Sequence, residues 1–389
     1  MDPLKGDEAQ RKDTGAVKLS RYGTYGRFAG AALAGTLALT ACGSDQAVDP
    51  EQSGASAADN ANCVEGGGTL AGAGASSQEN AMAGWRAAYT EACPDTTVNY
   101  DSVGSGAGRS QFIEGATDFA GSDAALDETE TEQATERCGS EVVNLPAYIS
   151  PIAIITNLEG VDTLNLKPEV IADIFNQEIT NWNDEAIAAD NPDADLPDQK
   201  IVPVNRSDES GTTENFVAYL SAAAGDAWPH EISGDWPIEP VEAGQGSSGV
   251  VQAVEGGEGT IGYVDASHVG DLGTVAVGVG EEFVEYSPEA AAAIVDASPE
   301  RASNTENDHA VDLDYTTEES DSYPIVLISY HIACMEYEDQ KTVDLVKSFL
   351  GYVISEEGQQ VSADEAGSAP ISDETRTNIQ ETLDAISAA

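Results

Sequence analysis

Apolar residues recur along this chain with two periods. The runs at 69–72, 97–100, 118–121, 148–156 (YISPIAIIT), 201–205 (IVPVN), 260–264 (TIGYV) and 323–332 (YPIVLISYHI) are short and apolar, as strands are. Between them, 77–92, 109–115, 167–175, 212–223, 248–255 and 339–354 repeat their apolar residues at helical spacing. In the first of these, Met82, Trp85, Ala88 and Tyr89 share one face. The stretch 104–108 reads as a Gly/Ser turn, and 298–321, acidic and weakly patterned, reads as a loop. Short strands alternating with helices predict an α/β sheet. At 389 residues the chain is long enough for two such domains, each with its own core.

The pattern breaks before residue 64. Lys18, Arg21 and Arg27 are followed by 28–41 (FAGAALAGTLALTA), which carries no charge and is too short to span a bilayer comfortably. It ends in Leu39-Thr40-Ala41-Cys42, small residues before a cysteine, as in a bacterial lipoprotein signal. This predicts a signal peptide over 1–41 and a lipid on Cys42 that tethers the protein to the extracytoplasmic face of the cell membrane. Residues 1–16 are polar and unlike a signal, so translation is expected to begin at Val17. Residues 42–63 are rich in Ala, Ser, Asp and Asn and read as a flexible tether.

Charge narrows the partners. With 70 acidic and 16 basic residues the net charge is −54, which argues against nucleic acid and anionic lipid surfaces. Export favours disulfides among the four cysteines other than Cys42. Three pairings are possible. Cys93–Cys138 with Cys63–Cys334 is preferred, because Cys93 and Cys138 flank one α/β unit. The four histidines are scattered and no C-x-x-C occurs, so neither a metal nor a cofactor is expected.

Three polar turns share one design: Gly72-Ala73-Gly74-Ala75-Ser76-Ser77, Gly104-Ser105-Gly106-Ala107-Gly108 and Arg206-Ser207-Asp208-Glu209-Ser210-Gly211-Thr212. Each follows a strand and precedes a helix. A helix start offers unpaired N–H groups and about half a positive charge, and glycine lets backbone approach a ligand. One such turn is usually only a helix cap; three with Arg206 describe an anion site. The Arg206 fork can grip two oxygens, and Asp208 can hold it in place. Asp123 fits if the anion carries a proton, because an ionised carboxylate only accepts hydrogen bonds.

These segments resemble the substrate-binding protein of the phosphate-specific (Pst) ABC transporter in its actinobacterial lipoprotein form. The resemblance lies in GAGASSQENAM (72–82), VNYDSVGSGAG (98–108), QFIEGATDFAGSDAAL (111–126), LNLKPEVIADIFNQEITNWND (164–184), VNRSDESGTTENFVAYL (204–220), EGTIGYV (258–264) and YPIVLISY (323–330). It implies a two-lobed α/β binding-protein fold of type II, with ligand in the cleft, and no catalysis. It also implies phosphate ligands at Ser76, Ser77, Ser105, Asp123, Arg206, Ser210, Gly211 and Thr212, supported by Asp208 and Gly106. Backbone N–H contacts would come from Ser77, Gly211 and Thr212, and hydroxyl contacts from Ser76, Ser105, Ser210 and Thr212. Two departures stand out: Ser76-Ser77 where many members have Thr-Phe, and Glu209 where many have Gly. On this reading lobe one is 64–147 plus 323–389 and lobe two is 148–322, with hinges near 146–151 and 322–324. The expected partners are phosphate and an ABC permease, and the protein is expected to be a monomer. The alternatives are a binder of sulfate, molybdate or tungstate, or a serine hydrolase.

Overall fold

The computed structural model describes residues 62–389. The predicted signal, start site and lipidated Cys42 lie outside the described residues, as does nearly all of the tether.

The chain opens with β1 (Gly68–Gly74), α1 (Glu79–Ala92), β2 (Thr96–Ser102), α2 (Ser105–Ile113), β3 (Phe119–Ser122) and α3 (Glu128–Cys138). β4 (Val142–Asn157) follows, a 16-residue strand buried almost throughout. Next come β5 (Thr163–Leu166), α4 (Pro168–Phe175), α5 (Glu185–Asp190), β6 (Val202–Arg206), α6 (Gly211–Ala223), β7 (Glu242–Gly244) and α7 (Gly246–Gly256). β8 (Thr260–Asp265), β9 (Gly273–Val279), β10 (Glu282–Val284) and α8 (Pro288–Ala297) complete that group. The chain returns through β11 (Val326–Cys334), β12 (Glu336–Tyr337), α9 (Gln340–Ile354), α10 (Glu356–Ala366), α11 (Asp373–Ala385) and β13 (Ser387–Ala388).

The main sheet runs β2-β1-β3-β11-β4-β8-β6-β7. β4 joins its two halves. It pairs antiparallel with β11 from Val142 to Pro151, then with β8 from Ile152 to Asn157. A strand covered on both faces reads as a continuous apolar run, which is the pattern of 148–156. Pro146 and Pro151 sit where a missing N–H does least harm: Pro146 beside the register shift at Ser329/Tyr330, Pro151 where β4 changes partners.

Each half has an aromatic core. In the first, Tyr89 meets Phe349 edge-on at 5.3 Å between ring centroids. In the second, Phe216 stacks on Tyr263 at 4.4 Å. Met82, Trp85 and Tyr89 are buried as the helical face predicts, with Ala88 packed at its edge. The segment 298–321 has no helix or regular strand, yet it packs closely: Arg301 donates to the Leu126 carbonyl and the Tyr315 hydroxyl to Asn215.

Three expectations change. The disulfides join Cys63 to Cys93 and Cys138 to Cys334, in place of Cys93–Cys138 and Cys63–Cys334. Sheet order is the cause. Cys93 ends α1 and leads into β2 at the sheet edge, whereas Cys138 leads into β4, where Val142 pairs directly with Cys334 of β11. Secondly, the turn at 104–108 is already helical, since α2 begins at Ser105 rather than Arg109. Thirdly, helices α3 and α10 escape the pattern because they are acid-rich; α3 buries only Ala134 and is held by an Asp127/Glu130 capping box.

Candidate anion-binding site

Four helix starts converge on the cleft, three of them expected. Ser76 and Ser77 follow β1 and lead into α1, Ser105 opens α2, and Ser210, Gly211 and Thr212 open α6. The fourth, Gly246 and Ser247 at α7, was not anticipated. The approach is close enough to need glycine. A Cβ on Gly108 would lie 2.3 Å from Gly74 Cα, so α2 sits directly on the end of β1. A Cβ on Gly211 would lie 2.7 Å from Asp123 Cβ and 2.8 Å from Ser105 Oγ. Helix α6 of the second half therefore starts against the first half's own anion-site residues.

Asp123 is the centre of this contact. Ser77 Oγ donates to its Oδ1 at 2.6 Å, and Thr212 Oγ1 to its Oδ2 at 2.9 Å. Its N–H donates to Ser105 Oγ, and Asn215 Nδ2 donates to its carbonyl. Burial pushes the Asp123 carboxyl up; hydrogen bonds from Ser77, Ser329 and Thr212, and the charge of Arg206, push it back. The Ser76-Ser77 departure thus has a consequence that packing alone would not suggest: Ser77 supplies a donor to the most deeply buried carboxylate of the site.

Arg206 ends β6 and is 4% exposed. Its Nε and Nη2 hold both oxygens of Asp208, at 2.9 and 2.5 Å. Asp208 also accepts from the Gly246 N–H, so it ties the arginine to the start of α7. Glu209, the second departure, does not disorder the turn. Its carboxylate takes Arg109 at 2.8 Å, and its carbonyl accepts from the Gly106 N–H.

The remaining hydroxyls are already held. Ser76 Oγ accepts from the Ser247 N–H and bonds Ser247 Oγ; Ser210 Oγ caps α6 by accepting from Thr213 N–H. Ser105 and Ser210, as acceptors in these bonds, keep their own protons to donate. The amides of Ser76, Ser77, Gly211 and Thr212 have no acceptor among the described residues. Four buried N–H groups with free hydroxyl protons and a guanidinium make a strong site for a small oxyanion. The Asp123 carboxylate asks that the anion bring a proton. A separate cavity of about 260 Å³ borders Asp123, lined by Glu214, Arg301, Tyr315 and Tyr330 among others, but it touches neither Arg206 nor the helix starts.

A model of the PBP superfamily domain matches residues 50–357. Phosphate-binding protein PstS3 of Mycobacterium bovis is 37% identical over 379 residues, 95% of this chain and 100% of that one. Phosphate-binding protein PstS 2 of Mycobacterium tuberculosis is 34% identical over 91% of this chain and 96% of its own. The chain belongs to the PBP superfamily, among the PstS-type phosphate-binding proteins. Solved structures give the same two-lobed fold. A periplasmic phosphate-binding protein, PfluDING, aligns with TM-score 0.65 at 20% identity, over 80% of this chain and 93% of its own. A substrate-binding protein of a phosphate ABC transporter from Clostridium perfringens aligns with TM-score 0.55 at 22% identity, over 77% and 98%.

In this PstS-type chain the structure brings together all eight residues named from sequence, with Asp208 and Gly106 beside them. Sequence reading missed Ser247, Asn215, Gln78, Ser329 and His331. Ser247 was findable: Gly244-Gln245-Gly246-Ser247-Ser248-Gly249 repeats the design of the other three turns. Among the described residues no helix is long and apolar enough to cross a membrane.

Proposed function

We propose that this protein binds inorganic phosphate in its cleft, outside the cytoplasm, and delivers it to an ABC-type importer without chemical change. One observation carries the reading: a lone buried carboxylate, Asp123, stands among hydroxyl donors, unpaired amides and Arg206. Donors on nearly every side suit a small oxyanion, and one acceptor suits an oxyanion that is protonated. The names of the relatives support phosphate.

Ser76, Ser77, Ser105 and Asp123 contact phosphate from lobe one, and Arg206, Ser210, Gly211 and Thr212 from lobe two. The lobes are 64–147 with 323–389, and 148–322, hinged near 146–151 and 322–324. Closing them joins the two half-sites, so ligand binding favours the closed form that a permease reads. The protein acts as a monomer held to the membrane through Cys42.

Calorimetry should find tight phosphate binding and no sulfate binding. Equal affinity for the two would remove Asp123 from its role, since sulfate at neutral pH has no proton to offer. Arg206→Ala should weaken phosphate by about 2–3 kcal/mol, through loss of a charged donor and release of Asp208. Unchanged affinity would take Arg206 out of the site.

A further inference from the structure

A line of buried polar side chains runs from Asp123 into the core of the first half. None of its inner members belongs to the ligand set. His331 of β11 places Nε2 3.1 Å from Gln78 Oε1. Gln78 Nε2 donates to Ser329 Oγ at 2.8 Å. β11 pairs antiparallel with β3, Tyr330 opposite Ser122, so the next position along sets Ser329 beside Asp123; there, with Ser77 and Thr212, it counters the effect of burial on the carboxyl. Gln78, Ser329 and His331 are each 1% exposed or less.

The direction of every bond in this line follows from the first. A glutamine amide has one donating and one accepting end. With Nε2 on Ser329, Oε1 faces the imidazole, so His331 carries its proton on Nε2. The ring stays neutral, because full burial lowers its pKa to about 3. Ser329 accepts from Gln78 and keeps its single proton for the neighbour on its other side, Asp123. Each link therefore donates toward the carboxylate.

We propose that His331, Gln78 and Ser329 are positioning residues that fix Asp123 as a hydrogen-bond acceptor, and that with Ser77 they set the site's preference for a protonated oxyanion. A carboxylate offers about four lone-pair positions. Ser77, Thr212 and Ser329 address three of them, and the fourth is left for an O–H that only the ligand can bring. Turning the Gln78 amide over would reverse the line. His331 would hold its proton on Nδ1, Ser329 would donate to Gln78, and Asp123 would lose a donor. The inference rests on the phosphate reading for its ligand, but not for the hydrogen-bond line itself.

The titratable and charged groups near Asp123 are Arg206 of β6, Tyr100 of β2 and His331 of β11, with Glu79 at the start of α1 acting on the same tyrosine. Glu214 of α6 and Arg301 line the cavity that Asp123 borders. Comparing variants with the unaltered protein at each pH cancels the titration of these groups and of phosphate.

The test titrates phosphate into the full chain between about pH 5 and 8, for the unaltered protein, Ser329→Ala, Ser329→Thr and Gln78→Glu. Ser329→Ala should bind about tenfold more weakly near neutrality. The deficit should grow as pH falls, because Asp123 with one donor fewer takes up a proton at higher pH. Gln78→Glu, which draws the Ser329 proton to itself, should behave alike, and Ser329→Thr should restore binding. A long-range ¹H–¹⁵N spectrum should show His331 as the Nε2–H tautomer. A deficit that is constant with pH, or an Nδ1–H imidazole, overturns the proposal. If the unaltered chain binds no phosphate, the functional reading fails by itself. The imidazole tautomer and the Asp123 carboxyl titration with and without Ser329 still decide the line. If Ser329→Ala does not fold, Ser77→Ala, acting on the same carboxylate, takes its place in the pH series.

Discussion

His331 sits edge-on to Trp85 and Phe119, with ring centroids at 5.8 and 5.4 Å, and takes no proton in the folded protein until about pH 3. In the unfolded chain it protonates near its ordinary 6.5. Between those values the unfolded state binds the extra proton. Stability is therefore whole above 6.5 and falls as pH drops toward 3, by about 1.4 kcal/mol per unit. Burial lowers His309 in the same sense. Asp123, Asp265 and Glu214 are raised by burial and act with the opposite sign. The ring is isolated by comparison. Urea midpoints between pH 7 and 5 should fall more steeply for the unaltered protein than for His331→Gln, and equal slopes would show that His331 does not titrate on unfolding. The anion-site residues were legible one by one because helix-cap chemistry is local: Ser76, Ser105 and Ser210 each advertise a helix start within a few positions. Gln78 and Ser329 are 251 residues apart. No spacing rule joins them, and their meaning appears only when β11 is laid beside β3.

At the scale of elements, β1, β2, β3, β4, β6, β8 and β11 and most helices followed from apolar period, whereas β5, β9 and β10 were not read from it. The acid-rich helices α3 and α10 did not, because their stability lies in caps and in a few small buried residues. α7 was expected over 248–255, but its start at Gly246 hid behind β7, a strand of only 3 residues, too short to show a period. Disulfide pairing depended on strand order, which adjacency in sequence does not reveal. The two bridges close very different lengths of chain, with sequence separations of 30 and 196. Chain-entropy reasoning gives the longer closure the larger effect, roughly 2–4 kcal/mol or somewhat more. Thermal or denaturant melts should therefore show a larger loss for the Cys138→Ser/Cys334→Ser pair than for Cys63→Ser/Cys93→Ser. The reverse order would place the stabilisation in local geometry, not chain closure.

For the whole molecule the governing quantity is a charge of −54. An anion approaching this protein is repelled until it comes within about a screening length, roughly 8–10 Å at ordinary ionic strength. In the proposed site, the helix starts and Arg206 act inside that distance. Association of phosphate, followed by stopped flow, should therefore quicken as salt rises from low ionic strength; slowing would mean that a local positive field reaches past the acidic surface. Net charge was plain from composition, but how the site overcomes it required the geometry. The order of strands has one more consequence, for how the protein is made. β3 and β4 are separated in the sheet by β11, which comes some 170 residues after β4 in the chain. Until those late residues arrive, the amino-terminal half has two strand edges facing a gap. Such edges recruit wrong partners. A chain delivered from one end must spend its synthesis with that gap open, and it becomes a finished protein only when a strand from its last sixth slides in between.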